Sequence, residues 1–135
     1  MNTPKKIRAL VADDEPHVRE VVTAIVRALG AEVVAEASDG QQAVDLFAKL
    51  RPDLVILDIN MPHMRGDEAL TLIRRIDPDA LAVMMTAQDT METVHDCLDR
   101  GAQHYILKNN RAEEIYRLLA ECWPDLERRA NREHA

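Results

Sequence analysis

The chain has 135 residues, 47% hydrophobic and 30% charged, which is enough to bury one core and is typical of a globular domain rather than a disordered one. Its 17 Lys and Arg against 24 Asp and Glu give a net charge of -7, which argues against nucleic-acid binding because phosphate binding needs a basic face. The apolar runs are too short for a membrane span or a secretory signal, so we expect a cytoplasmic protein without membrane contact. Cys97 and Cys122 lack CxxC spacing and are expected to be reduced and buried.

Strand-like and helix-like hydrophobic patterns alternate along the chain. A short apolar run ends at Ala12, apolar residues then recur at helical spacing from Val18 to Leu29, and Gly30 stands where a left-handed helix terminus favours glycine. Further strands are expected at 32–37, 54–57, 81–86 and 105–107. Ser38 or Asp39 is expected to cap the second helix. The buried helical faces are expected at Ala43, Phe47 and Leu50; at Leu70, Ile73 and Ile76, after Asp67 opens that helix; at Met91, Val94, Leu98 and Gly101; and at Ala112, Ile115, Leu118 and Leu119.

Five strands, each followed by a helix, predict an α/β domain with a doubly wound parallel sheet. The central strands are apolar on both faces, as expected when helices cover both sides of the sheet. Right-handed crossovers leave few arrangements, and the flavodoxin-like strand order 2-1-3-4-5 is the common one at this size. Ligands in such sheets bind at the carboxyl ends of strands 1 and 3.

The hydrophobic pattern stops after Pro124. The remaining sequence is charged and has no apolar stripe that needs a partner, although it could extend a helix. We therefore predict a domain over residues 1–122 and a charged C-terminal tail, or the start of a linker, over residues 123–135.

Unusual polar residues stand at the ends of the predicted strands. Asp13 and Asp14 follow strand 1, Asp58 ends strand 3, Thr86 ends strand 4 and Lys108 ends strand 5. The two adjacent aspartates alone could be explained as caps of the first helix. Helix capping explains neither the second aspartate of that pair nor why the other strands end in polar residues, so we expect a functional site at this edge of the sheet.

The residue types at this edge fit phosphoryl chemistry. Three neighbouring carboxylates repel one another unless a cation lies among them, and oxygen ligands without His or Cys suit Mg²⁺. A carboxylate beside Mg²⁺ can attack a phosphoryl group and form an acyl phosphate. Lys108 can neutralise one phosphoryl oxygen, and the Thr86 hydroxyl can donate a hydrogen bond to another.

Four segments together resemble the receiver domains of two-component response regulators, such as the chemotaxis regulators of bacteria. The run DINMPHMRG, residues 58–66, is similar to the phosphoacceptor motif of that family, and LVADDE is similar to its acidic pair. Thr86-Ala87 matches its hydroxyl position, and GAQHYILK, residues 101–108, matches its strand-5 motif. The resemblance covers about residues 6–122.

The resemblance implies a role for each matching residue. Asp58 would be phosphorylated, Lys108 would contact the phosphate, and Thr86 with Tyr105 would form the switch pair. The implied Mg²⁺ ligands are Asp13, Asp14, Asp58 and the backbone carbonyl of Asn60.

The resemblance also implies partners and a mode of action. The phosphodonor would be a sensor histidine kinase or a histidine phosphotransfer protein, and the chain would be a switch rather than an enzyme. It would nevertheless promote its own Mg²⁺-dependent phosphotransfer and autodephosphorylation. A downstream protein target, or a second copy of the chain, would dock on the surface formed by helix 4, strand 5 and helix 5. Residues expected on or near that surface are Met91, His95, Tyr105 and Tyr116.

One position departs from the family pattern. Most of the family has a proline after the strand-5 lysine, with a cis peptide bond between them, whereas Asn109 follows Lys108 here. A cis bond before a residue other than proline costs about 2.5–4 kcal/mol, which favours a trans bond and a slightly different placement of Lys108.

Two other classes of protein share part of this pattern. A haloacid-dehalogenase-type phosphatase also uses an Asp nucleophile, Mg²⁺, a Thr and a Lys. It needs a second Asp two residues after the nucleophile, where Asn60 stands, and its acidic pair follows the nucleophile, whereas Asp13 and Asp14 precede Asp58. A degenerate receiver that only binds a partner is disfavoured by the complete set of site residues.

Overall fold

The computed structural model describes residues 6–87 and 91–132, without the side chains of 91–94 and 132. Its elements in chain order are β1 (Arg8–Ala12), α1 (Pro16–Ala28), β2 (Glu32–Ala37), α2 (Gly40–Leu50), β3 (Leu54–Asp58), α3 (Gly66–Ile76), β4 (Leu81–Thr86), α4 (Met91–Asp99), β5 (His104–Leu107), α5 (Ala112–Ala120) and α6 (Trp123–Arg132). The strands form one parallel sheet in the order β2-β1-β3-β4-β5, which confirms the predicted doubly wound fold.

Both faces of the sheet are covered, and β3 shows this most clearly. Leu54 and Ile56 pack into the core with residues of α1 and α5, whereas Val55 and Leu57 pack on the opposite face with residues of α2 and α3. Successive strand residues point to opposite faces, so a strand that is buried on both sides has no polar position. This explains the continuous apolar run of β3.

The predicted helix ends at Gly30 and Asp39 are confirmed. Gly30 has φ +104°, and this left-handed conformation lets the chain turn from α1 into β2. Asp39 caps α2, because its carboxylate accepts a hydrogen bond from the backbone N–H of Gln42 at 2.8 Å. The helix expected to open at Asp67 begins one residue earlier, at Gly66, and Asp67 lies in its first turn.

The buried face of α4 differs from the prediction. Leu98 is 47% exposed, whereas Cys97 is fully buried in the core between the sheet and α2, α3 and α4. Adjacent helix residues lie about 100° apart, so the helix that buries Cys97 turns Leu98 outward. The side chains of Met91 and Val94, predicted on the same face, lie outside the described residues. Both cysteines are free and buried, as predicted.

The expectation of a C-terminal segment without a packing face was wrong. Residues 123–132 form α6, in which Leu126 joins the core cluster that α1 and α5 line and Ala130 is also buried. The guanidinium of Arg129 pairs with Asp77 at 2.5 Å and lies 3.9 Å from Asp53. The buried face of α6 is formed by Leu126 and Ala130, which continue a spacing of four residues from Cys122, just before the helix. Two of these three residues are small or weakly apolar and their neighbours are charged, so the sequence does not show a clear apolar stripe. Residues 133–135 of the expected tail lie outside the described residues.

Within the described part of the chain, the helices are too short or too polar for one of them to cross a bilayer.

Candidate functional site

The parallel register brings three aspartates together beside the carboxyl ends of β1 and β3. Ala12 pairs with Leu57, so the next residues, Asp13 and Asp58, lie side by side on adjacent strands. Both are buried, whereas Asp14 is exposed at the mouth of the site. Carboxylate oxygens of Asp13, Asp14 and Asp58 all lie within 4.8 Å of one another. The predicted acidic cluster is therefore present.

Lys108 contacts the two buried aspartates of this acidic cluster. Its ammonium nitrogen is 2.8 Å from Asp13 Oδ2, 2.9 Å from Asp58 Oδ2 and 3.2 Å from Glu15 Oε1. An ammonium has three N–H donors, so each one is paired with a carboxylate. The backbone N–H of Lys108 also donates to the Thr86 carbonyl at 2.9 Å, which fixes the residue beside β4.

The peptide bond between Lys108 and Asn109 is trans, as are all peptide bonds in the described segments. The trans bond was favoured from the sequence, together with a different placement of Lys108. The side chain nevertheless reaches both Asp13 and Asp58, so the loss of the family's proline leaves the charge contact intact.

Burial and the contacts between Lys108 and the aspartates act in opposite directions on the pKa values of Asp58 and Lys108. Burial is the largest influence on Asp58 and raises its pKa from 3.8 to about 6, with Asp13 and Asp14 adding to the rise and Lys108 opposing it. Burial alone would lower the pKa of Lys108, but its hydrogen bonds with Asp13 and Asp58 outweigh burial and raise it. The ionised cluster is therefore a strained anionic pocket that a further cation would relieve.

The remaining predicted residues lie around this pocket. The backbone N–H of Asn60 points at Asp58 Oδ1 at 3.4 Å, and Thr86 is fully buried at the end of β4. Tyr105 on β5 is partly buried and packs against the core between the sheet and α2, α3 and α4. Tyr116, expected near the surface of α4, β5 and α5, instead lines an apolar groove of about 360 Å³ between α1 and α5.

The segment between Asp58 and α3, residues 59–65, is here named the β3–α3 loop. A Cβ atom on Gly66 would lie 1.9 Å from the carbonyl oxygen of Asp58, so only glycine allows this return of the chain. Within the loop, His63 has φ +66° and the N–H of Met64 donates to the Pro62 carbonyl at 2.7 Å. This is a γ-turn with positive φ, the rare and strained form.

Two residues of the site were missed from the sequence. Glu15 follows the acidic pair directly and pairs with Lys108, and Gly40 contacts the β3–α3 loop from α2. Glu15 carried a signal, because it extends the LVADDE run. Gly40 carried no sequence signal beyond its position after a capping aspartate, since the loop that it contacts is distant in the sequence.

The donor set fits a hard divalent cation. Asp13, Asp14 and Asp58 offer carboxylate oxygens within one cluster, and His nitrogen or Cys sulfur ligands are lacking from this cluster. Oxygen-only sets of this size suit Mg²⁺, which keeps several waters beside a few carboxylates. The negative charge of the pocket also favours the binding of a divalent cation.

Residues 9–120 match the family described as the response regulator receiver domain. The chain belongs to this family. Receiver domains of response regulators are signalling switches in two-component systems. This assignment favours a switch over the haloacid-dehalogenase alternative.

Similar proteins support the same receiver-domain assignment. The chain is 37% identical to the chemotaxis protein CheY of Listeria monocytogenes, with 86% of this chain and 98% of that protein covered. It is 39% identical to CheY of Bacillus subtilis, with 80% and 90% covered.

Solved structures of receiver domains superpose on the chain. The signal receiver domain of NarL from Mycobacterium tuberculosis has 33% identity and a TM-score of 0.79, with 88% of this chain and 97% of that chain covered. CheY from Borrelia burgdorferi, solved in a complex with CheX, BeF₃ and Mg²⁺, has 28% identity and a TM-score of 0.82, with 87% and 89% covered. The receiver fold is thus confirmed.

Proposed function

We propose that this chain is a phosphorylation-activated switch in which Asp58 accepts a phosphoryl group in a Mg²⁺-dependent reaction. The observation that carries the proposal is the position of the Asp58 carboxylate: it is 2% exposed, lies within the cluster of Asp13 and Asp14, and contacts Lys108 at 2.9 Å. A buried carboxylate with a raised pKa and a neighbouring cation is the arrangement expected of a nucleophile rather than of a helix cap.

The phosphodonor is a phosphohistidine on a sensor histidine kinase or a histidine phosphotransfer protein. An Asp58 carboxylate oxygen forms the new bond to phosphorus, while the bond from phosphorus to the histidine nitrogen breaks. The leaving imidazole keeps that electron pair and takes up a proton, and the product on Asp58 is an acyl phosphate. Hydrolysis of this acyl phosphate returns the switch to its resting state.

Three of the chain's own groups serve the transfer. Lys108 exchanges its contact with the Asp58 carboxylate for a phosphoryl oxygen, which keeps its charge paired as the negative charge moves outward. The Thr86 hydroxyl donates to another phosphoryl oxygen. The N–H of Asn60, which already points at Asp58 Oδ1, holds the nucleophile in place.

Asp13, Asp14, Asp58 and the carbonyl of Asn60 are the groups that would hold Mg²⁺, which when bound neutralises charge on the transferring phosphoryl group. The exposed Asp14 lies on the solvent side of the cluster, where an ion enters. Asp13 keeps its contact with Lys108 through Oδ2 and accepts the N–H of Glu15 through Oδ1, so its orientation is fixed before any ion binds.

The signal leaves the site through β4 and β5. Thr86 moves toward the phosphoryl group, the Tyr105 side chain moves into the vacated space, and the surface of α4, β5 and α5 changes. A downstream protein or a second copy of the chain docks there. Two packings that differ by a few kcal/mol are sufficient for such a switch.

The test of the proposal is phosphorylation by acetyl phosphate with Mg²⁺, followed by intact-mass spectrometry. We expect one added phosphoryl group on the wild type and none on Asp58→Asn or in the presence of EDTA. Asp45→Asn, which changes an exposed aspartate on α2, is the matched control and should be labelled like the wild type. Labelling that persists in Asp58→Asn would refute the assignment of the phosphoacceptor.

A further inference from the structure

We infer that Gly40, the first residue of α2, is a positioning residue for the β3–α3 loop and thereby for the phosphorylation of Asp58. The inference rests on the proposed function of Asp58. It adds to that site a residue of α2, whereas the other site residues lie at or after the ends of strands. The backbone N–H of Gly40 donates a hydrogen bond of 3.0 Å to the carbonyl oxygen of Met64, which lies near the end of the loop.

The space around Gly40 excludes any side chain. A Cβ atom at this position would lie 2.2 Å from the Met64 carbonyl oxygen and 2.8 Å from its carbonyl carbon. These are backbone atoms, so they cannot swing aside as the end of a flexible side chain can. Any residue other than glycine therefore has to displace the β3–α3 loop from α2, or α2 from the loop.

The contact matters because the loop is strained. The γ-turn at His63 has φ +66°, and such backbone conformations persist only where the surroundings hold them. Gly40 holds the Met64 end of the turn, while the N–H of Gly66 holds the start of the loop through the Ile59 carbonyl at 2.8 Å. The loop is thus fixed at both ends.

α2 is a firm support for this contact. Asp39 caps the helix, and the apolar side chains of Ala43 and Phe47 are fully buried one and two turns later. The first N–H groups of a helix have no partner within the helix, and the Gly40 N–H uses this free donor for Met64. The positive end of the helix dipole strengthens a bond to a carbonyl oxygen.

The position of the loop determines the geometry of the phosphoacceptor. Asn60 lies in this loop, and its N–H points at Asp58 Oδ1 at 3.4 Å. Displacement of a reacting group by about 1 Å can lower a rate by about two orders of magnitude. A loop moved by a fraction of that distance is expected to slow phosphorylation while the domain stays folded.

The experiment compares Gly40→Ala with Gly30→Ala. Gly30 has φ +104° and open space around its Cβ position, so its replacement strains the backbone without touching the loop. We measure the rate of phosphorylation by acetyl phosphate at saturating Mg²⁺, normalised to the folded fraction, and the backbone amide shifts of the unphosphorylated proteins. Gly40→Ala should lower the rate about tenfold and shift the amides of residues 59–66, whereas Gly30→Ala should stay within about twofold and leave those amides in place.

A second variant tests the contact even if Gly40→Ala does not fold. His63→Gly relieves the positive φ and should shift the amide of Gly40 across its hydrogen bond to Met64, but not the amide of Gly30. An unmoved Gly40 amide in His63→Gly, a wild-type rate in Gly40→Ala, or equal slowing in both glycine variants would each overturn the inference. If the wild type takes up no phosphate, the proposed function fails, while the amide shifts still decide whether Gly40 positions the loop.

Discussion

Lys108 is the residue that balances the charge of the site. Its ammonium group contacts Asp13, Asp58 and Glu15, and only the last of these is freely exposed to solvent. Even so, burial keeps the pKa of Asp58 at about 6, above its ordinary 3.8. The resting site therefore stores unfavourable electrostatic energy in Asp58, because burial disfavours its ionised form.

This stored energy predicts how stability depends on pH. Between pH 3.8 and about 6, the folded chain binds a proton at Asp58 more tightly than the unfolded chain, so the free energy of unfolding falls as the pH rises through this window. In metal-free protein, we expect Asp58→Asn to raise the free energy of unfolding at pH 7 by about 1–3 kcal/mol and much less near pH 4. Urea unfolding in EDTA at both pH values measures this. Asp79→Asn changes an exposed aspartate and is the control: its effect on the free energy of unfolding should be the same at both pH values. If Asp58→Asn also shows no difference between the two pH values, the Asp58 carboxylate does not destabilise the fold.

The acidic pair predicts the response to metal. Asp13 and Asp14 contribute the carboxylate charge of the cluster besides Asp58. We expect Asp14→Ala to weaken Mg²⁺ binding by about tenfold or more, and Asp13→Ala to weaken it as well. Calorimetry or NMR titration measures the affinity, with Glu20→Ala on the exposed face of α1 as the control. Unchanged affinity in both aspartate variants would exclude the cluster as the metal site.

At the scale of elements, α6 is the largest difference from the sequence-based expectation. It packs at the amino ends of the strands, whereas the acidic cluster lies at their carboxyl ends. Leu126 is fully buried there, and Arg129 reaches the partly buried Asp77 and the buried Asp53. Asp53 in turn accepts the N–H of Arg8 at 2.9 Å, so this network ties α6 to the start of β1 and to the residue just before β3.

Loss of this network should destabilise the domain. Removing Arg129 leaves two carboxylates without that cation, one of them buried, so we expect Arg129→Ala to lower the free energy of unfolding by about 1–3 kcal/mol. Arg128→Ala is the matched control, because Arg128 pairs with Asp125 on the exposed side of the same helix. Its pair is exposed to solvent and should contribute less than about 1 kcal/mol. Equal effects of the two variants in urea unfolding would show that α6 is held by helix propensity and apolar contacts alone.

At the scale of the whole molecule, β4 and β5 connect the acidic cluster with the surface of α4, β5 and α5. Thr86 ends β4 and pairs in register with Leu107, and Met84 pairs with Tyr105. A shift of Thr86 therefore acts on the strand that carries Tyr105. Arg100, just after α4, donates hydrogen bonds to the Asp67 carbonyl and to the Thr71 hydroxyl, so these contacts join the end of α4 to α3.

The predicted route can be followed by NMR with and without beryllofluoride in Mg²⁺. We expect the largest shifts away from the acidic cluster to fall between residues 87 and 119, and Thr86→Ala to reduce them. Thr23→Ala is the matched control, since Thr23 is also a buried threonine but lies on α1 and its hydroxyl makes no hydrogen bond within the described residues. Shifts concentrated on α1 and α2, or an activated spectrum that Thr86→Ala leaves unaltered, would contradict this route.

Much of the fold and the site was predictable from local patterns. Strand 3 reads as apolar at each position up to Asp58, and this pattern alone places a carboxylate at the end of a central strand. The ends at Gly30 and Asp39 were predictable for the same reason, because a positive φ and a helix cap depend on a few neighbouring residues. In α4 the hydrophobic pattern was misleading, because the small residue Cys97, and not Leu98, lies on the buried face.

The sequence by itself determined the five strands with the helix after each, the strand order and the set of residues at the carboxyl edge of the sheet, because these follow from periodicity and from the geometry of parallel strands. Only the tertiary structure decided that Lys108 contacts three carboxylates, that α6 packs through Leu126 and Arg129, and that Gly40 supports the β3–α3 loop. Each of these contacts joins segments far apart in the chain. No local pattern encodes such contacts, since their energy depends on distances that exist only once the sheet and its helices have come together.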